Sequence, residues 1–397
     1  MRMLALLGIM ASIGLPALAS HDAAREAVSV RQLEQFLALA HGKPYAKVAV
    51  QLYQLKLTER LGTATLKNLE TELPGPKTQQ ALVALADASA FLNPPSEEIP
   101  AIAKPDATAQ REIISLAAGF VVKSMHRLPD FFATRDTTEF QEKLEAPDDP
   151  ASIAGLDSPL HFVGTASATV LYRDGQEVVN EAETTKSGKK QSTNGLNTVG
   201  VFGPLLGTVI KDVVQGTITW SHWEWGTAGA LAVFHYSVPQ EKSHWEVKHC
   251  CVWFPIGQAQ LLRIPGLFDE FPSYHGEIAV DPASGTILRL VVQPELQPDF
   301  PIVRADVEVE YGLVEIGGRS YICPVRCVSI SNSTVNRSKS LGPDTSASGF
   351  KMTALNDVVF RQYHLFRADV RILAGDNPEK DGNATAPSAT PAKASQP

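Results

Sequence analysis

The sequence predicts an α+β fold: an N-terminal small helical bundle, then a long helix and a curved, mostly antiparallel meander sheet of the open half-barrel kind. Three observations predict it. From about residue 29 to 93 apolar residues recur at helical spacing, and one longer amphipathic stretch follows at 107–127. Beyond Leu128-Pro129 the apolar period becomes mostly two, punctuated by short turn sequences.

The elements follow in order. Ser29-Val30-Arg31-Gln32 has capping-box spacing, and Leu33, Phe36, Leu37 and Ala40 then align on one helix face until Gly42 and Pro44 end it. Val48, Leu52 and Leu55 continue the helical period. Leu66 and Leu69 carry a third segment to Pro74-Gly75-Pro76, and 81–91 reads as a fourth. Each is too short to be stable alone, so the four should pack on one another. The stretch 94–106 is a proline-rich linker ending at Asp106, whose carboxylate suits the N-cap of the long helix. Ile113, Ala117, Phe120 and Val121 lie on that helix's apolar stripe.

Hairpins are signalled at Arg173-Asp174-Gly175-Gln176, where Asp-Gly favours a tight primed turn, at Asp281-Pro282-Ala283-Ser284-Gly285, and around Gly317-Gly318. Strands are expected at 131–141, 166–179, 217–225, 230–238, 244–254, 274–280, 286–292, 303–314, 321–331 and 358–373. The run 202–214 fits helix or strand. A polar, basic loop is expected at 184–192 and a disordered tail at 375–397, which leaves 107–374 as the helix-plus-sheet domain and 20–93 as the bundle.

Residues 1–19 combine a cationic start, an apolar run and the ending Ala17-Leu18-Ala19, the pattern of a secretory signal peptide. An exported protein, periplasmic or extracellular, is therefore expected, in a compartment where disulfides persist. The formal charge of -8 and the lack of any Lys/Arg block longer than a pair argue against nucleic acid as a partner. Beyond the leader no run is long enough to span a membrane.

No catalytic constellation stands out, and no cofactor is implied. There is no Gly-x-Ser-x-Gly elbow, and Ser187-Gly188-Lys189-Lys190 sits in a polar loop rather than on a rigid element. The carboxylates Asp269-Glu270 and the row Asp306, Glu308, Glu310 could supply acid and base for glycoside cleavage, but rows of charge on one face of an amphipathic strand read as its wet side. The four cysteines, Cys250, Cys251, Cys323 and Cys327, are disulfide candidates, with three connectivities open. His244, His249 and these cysteines lack the spacing of a known zinc module, so no metal site is assigned. All five tryptophans fall between 220 and 253. By strand alternation Trp223 and Trp225 share a face and Trp220 takes the other, with His222 and Glu224 toward solvent.

The runs Leu128 to Arg135, Tyr274 to Pro282 and Val314 to Arg326 resemble those of a family of uncharacterised secreted proteins from acidobacterial genomes. That resemblance implies an exported bacterial protein and carries no activity with it. The hairpin Ile278 to Leu290, after one long helix, is also similar to the half-barrels of periplasmic lipoprotein carriers and related sigma-factor regulators, which hold an acyl chain or a partner in a concave face. The helical region before residue 106 departs from that pattern.

Together these readings favour a non-enzymatic binding protein. Trp223, Trp225, Phe234 and Trp245 are its ligand-binding candidates, lining a concave sheet that takes a lipid or another apolar molecule. The alternatives are an envelope structural or protein-interaction protein that docks a partner through the bundle, and a hydrolase.

Overall fold

The computed structural model describes residues 25–73, 75–125, 127–142, 159–179, 201–256, 260–335 and 350–366; the side chains of 249–267 are outside the description, as are the expected leader, the 184–192 loop and the 375–397 tail. Six helices are present among the described residues: α1 (Val30–Ala40), α2 (Tyr45–Tyr53), α3 (Thr63–Glu72), α4 (Pro76–Ala88), α5 (Ala107–Met125) and α6 (Pro204–Val213). The strands are β1 (Glu26–Val28), β2 (Leu55–Leu57), β3 (Phe131–Glu142), β4 (Leu160–Arg173), β5 (Gln176–Val179), β6 (Thr217–Trp225) and β7 (Ala230–Val238). They continue as β8 (Val247–Ile256), β9 (Gln260–Glu270), β10 (Tyr274–Val280), β11 (Ile287–Pro294), β12 (Ile302–Ile316), β13 (Arg319–Val335) and β14 (Phe350–Leu365).

The fold is α+β, as the sequence predicts. Ten strands form one open sheet in the order β5-β4-β3-β14-β13-β12-β11-β10-β7-β6, antiparallel at every pair and not closed into a barrel. The hairpin β8-β9 stands apart as a second sheet, and β1 pairs in parallel with β2. The ambiguous run 202–214 resolves as helix: Pro204 sits in the first turn, where its missing N–H is harmless, and Leu205, Val209 and Val213 turn inward together. Leu55, expected to extend a helix, lies instead on β2, because α2 stops at Tyr53.

Local chemistry fixes the helix starts. At α1, Gln32 N–H donates to Ser29 Oγ at 3.2 Å and Ser29 N–H to Gln32 Oε1 at 2.8 Å, the reciprocal capping box. At α5, Asp106 Oδ1 accepts from Thr108 N–H and Ala109 N–H, both at 2.9 Å. Asp174 and Gly175 both adopt positive φ, 51° and 77°, as a primed hairpin turn requires.

Helices cover both faces of the sheet. On one, α4 packs Ala84 with Phe140, Leu160, Ile330 and Leu355. On the other, α5 (Ile113, Ala117, Val121) and α6 (Val209, Val213) join Phe234, Ile278, Val280, Leu290 and Val309 in the main apolar core. Each fully buried Leu, Ile, Val or Phe stabilises the fold by about 1.5–3 kcal/mol relative to exposure. The bundle has its own core around Leu33, Leu52 and Leu82, yet it belongs with the sheet to a single compact unit ending at Phe366. No helix among the described residues is long and apolar enough to cross a membrane.

Candidate functional site

The face under α5 and α6 is an apolar surface built by strand register. Phe234 on β7 lies opposite Ile278 on β10 and Trp220 on β6, and opposed neighbours project to the same side. Phe234 is fully buried, and Trp220 meets both it and Trp223 edge to face, with ring centroids 5.6 and 5.0 Å apart. Simple alternation would put Trp220 and Trp223 on opposite faces. A β-bulge between Trp220 and His222 inserts one residue and brings the two indoles together. Of the four candidate ligand residues, the structure thus buries Phe234 and partly buries Trp223 and Trp245, but leaves Trp225 63% exposed at the end of β6. Trp223 Nε1 donates to Ala103 O at 2.9 Å, which ties the proline-rich linker to β6.

A cavity of ≈ 20 Å³ lies at the seam of α5 and α6, lined by Ile114 and Ala118 of α5, Ile210 and Val213 of α6, and Phe234 and Ile278 of the sheet. Every side chain around it is apolar. Val214, which also borders it, is 75% exposed, so the seam reaches the surface.

The two helices are held differently. Asp212, in the last turn of α6, is fully buried and accepts three hydrogen bonds: from His244 N–H at 2.8 Å, His244 Nδ1 at 2.6 Å and Tyr274 Oη at 2.8 Å. A carboxylate is disfavoured at a helix C-terminus, so these bonds offset both the dipole and the burial. Burial and the neighbouring Asp212 carboxylate together push the Tyr274 phenol well above its usual range, which keeps it a donor. Trp245 packs edge-on against the same tyrosine at 5.5 Å. By contrast the side-chain hydrogen bonds of α5 among the described residues stay within the helix and the two residues that lead into it, Pro105 and Asp106.

The opposite face carries charge. Arg289 Nη2 donates to Glu224 Oε2 at 2.7 Å and Glu277 Oε2 at 2.9 Å, and Arg60 Nη2 reaches the same Glu224 oxygen at 2.7 Å. Arg326 pairs with Asp357 at 2.9 Å, Glu310 at 3.4 Å and Asp87 of α4. Burial alone would raise the Glu224 carboxyl, but the Arg289 and Arg60 guanidiniums hold it well below its usual range. Glu308 is dominated by burial and is pushed up to about 7 despite Arg289 and Arg60. So Asp306 and Glu308 are not the wet side of a strand, and neither His222 nor Glu224 faces solvent. The bundle covers this face, and the cations beside Glu224 and Glu308 come from positions 60 and 289, which strand alternation cannot reveal; Asp306 is bound by Arg304 two residues along its own strand, at 2.6 Å.

Cys323 and Cys327 are buried thiols among apolar and tyrosine side chains rather than halves of a disulfide, and burial pushes the Cys323 thiol up to about 12. The side chains of Cys250 and Cys251, like that of His249, lie outside the described residues. Asp269 approaches Lys248 at 4.0 Å with both side chains exposed, a solvated pair. No group of three or more His, Cys, Asp or Glu side chains among the described residues converges to hold a metal. Compared with protein-family models, curated proteins and solved structures, the chain matches none.

Proposed function

We propose that this is an exported, non-enzymatic binding protein that holds an apolar ligand, such as a lipid or acyl chain, between the α5 face of the sheet and the two helices. The observation that carries the reading is the apolar seam between α5 and α6, floored by Phe234 and open beside Val214. At ≈ 20 Å³ it has room for little more than one water, so binding requires a helix to move. α5 is the helix free to move: non-directional apolar contacts hold it, whereas α6 is pinned by Asp212. Apolar contacts re-form around an apolar guest with no buried polar group left unpaired.

Native against denaturing mass spectrometry of the full chain from an exporting host tests this, together with titration by the uncharged fluorescent probe N-phenyl-1-naphthylamine. A stoichiometric apolar adduct, or saturable probe uptake, is the expected result. The absence of both adduct and uptake would overturn the reading. It would favour the partner-docking alternative, for which Leu39, Tyr45 and Val50 supply exposed apolar side chains on the bundle.

A further inference from the structure

The α5 face is not apolar throughout. On β3, Arg135, Thr137 and Glu139 lie opposite Phe360, Val358 and Asn356 of β14, and Asn356 lies opposite Ser329 of β13, next along that face to Ser331. Phe360, Val358 and Cys327 belong to the core under α5, so these six polar residues share that face. All six are between 1% and 4% exposed. Polar side chains buried beside such a core are disfavoured unless they find hydrogen-bond partners. Ser329 Oγ is buried without one among the described residues.

This polar island and the apolar seam lie at two ends of one floor. From β13 to β10 is three strand steps, about 15 Å at the usual spacing. The strands between contribute Val307, Val309, Leu290 and Val292, all buried and apolar. A polar end, an apolar path and an apolar seam at that separation match the dimensions of an amphiphile. The island contains one arginine and one glutamate, four residues apart on β3, and its other members are hydroxyls and an amide. A net charge on the guest would therefore face a like charge at one side of the island.

We infer that Arg135, Thr137, Glu139, Ser329, Ser331 and Asn356 form a head-group subsite for an uncharged, hydroxyl-rich head such as glycerol or a sugar, with the ligand's apolar part lying across β12 and β11 toward the α5–α6 seam. The inference rests on the reading of this face as an apolar-ligand site.

The test is displacement of N-phenyl-1-naphthylamine from the full chain by three twelve-carbon compounds: dodecanoylglycerol, dodecanoate and dodecylamine. Wild type should bind the glycerol ester about tenfold tighter than either charged compound, the worth of one or two well-made hydrogen bonds. Ser329→Ala and Asn356→Leu should bring that preference to within about twofold with probe affinity unchanged. Probe uptake with no preference in wild type, or a preference that survives Ser329→Ala, overturns the subsite and leaves the apolar site standing. No probe uptake at all overturns the underlying reading, and the subsite with it. The wild-type ranking decides the matter even if Asn356→Leu does not fold.

Discussion

At the seam where α5 and α6 meet the sheet, contacts are apolar and non-directional, with a polar tie at Asp212 of α6; on the face under the bundle, contacts are ionic and directional, with Arg60, Arg289 and Arg326 holding carboxylates of other elements. A guest can replace apolar side chains at an apolar face without leaving a charge stranded. Parting the ionic face would expose or orphan several charges at once. The same sheet therefore carries one closure suited to opening and one suited to holding the bundle in a fixed position.

The sharpest way to break this comparison is at Arg289. Arg289→Met leaves Glu224 and Glu277 without their shared cation beside the buried Glu308, and should destabilise the fold by about 3–5 kcal/mol, read from the urea midpoint. A loss under about 1 kcal/mol would mean that water solvates the network. On the other face, Phe234→Ala should remove about 3 kcal/mol, near the lower end for Phe truncation because the adjoining seam lets α5 settle inward. Loss of ligand uptake without a change in pH response is the signature expected of that variant.

Glu308 sharpens the contrast through pH. Its carboxyl is raised from 4.5 to about 7 in the folded protein, so between those values the native state holds a proton that the unfolded chain has released. This contribution is complete below the unfolded value and is lost as pH rises through about 7, amounting to roughly 3 kcal/mol over the window. Glu308→Gln should abolish that slope and be the more stable protein at pH 8 by about 2–3 kcal/mol, with the apolar face unaffected. Unchanged pH dependence by thermal or urea unfolding would place the proton elsewhere.

How much of this was legible in sequence follows the range of the interactions. Ser29-Gln32 and Asp106 act within three residues, and Asp174-Gly175 within a turn, so each element they cap or reverse was readable. Gly285 is a partial case. Its turn was evident and its φ of +74° fits, but only the structure shows that a Cβ there would lie 2.4 Å from the Leu116 backbone of α5. The side shared by Trp220 and Trp223 was misread because one bulged residue reverses alternation, and the bulge has no local sequence signature. Glu224 and Glu308 were misread as solvated because the cations beside them, Arg60 and Arg289, lie on other elements, and Asp306 because its burial comes from the elements packed over β12, even though its cation Arg304 is two residues away on the same strand. The polar island was invisible for a related reason: Ser329 and Ser331 alternate like any half-exposed strand, and only the β3-β14-β13 register brings them beside Arg135 and Glu139.

The smallest effect tests the strand that borders both faces. β6 ends the sheet order, with Trp223 turned toward the α5 side and Glu224 toward the bundle. The linker leaves the bundle near Asn93, which accepts from Arg60 N–H, and reaches Trp223 through Ala103 before α5 begins. That one indole bond therefore holds the segment connecting the ionic closure to the apolar one. Trp223→Phe keeps most of the ring packing and removes only the donor, so stability should fall by about 1 kcal/mol. Elastase cleavage after Ala101 or Ala103, just ahead of the α5 start, should meanwhile accelerate severalfold with the slope of the urea transition unchanged. Equal cleavage rates in the two proteins would mean that the linker is held by its prolines and by Glu98, which accepts from Thr65, and that the two closures are mechanically independent.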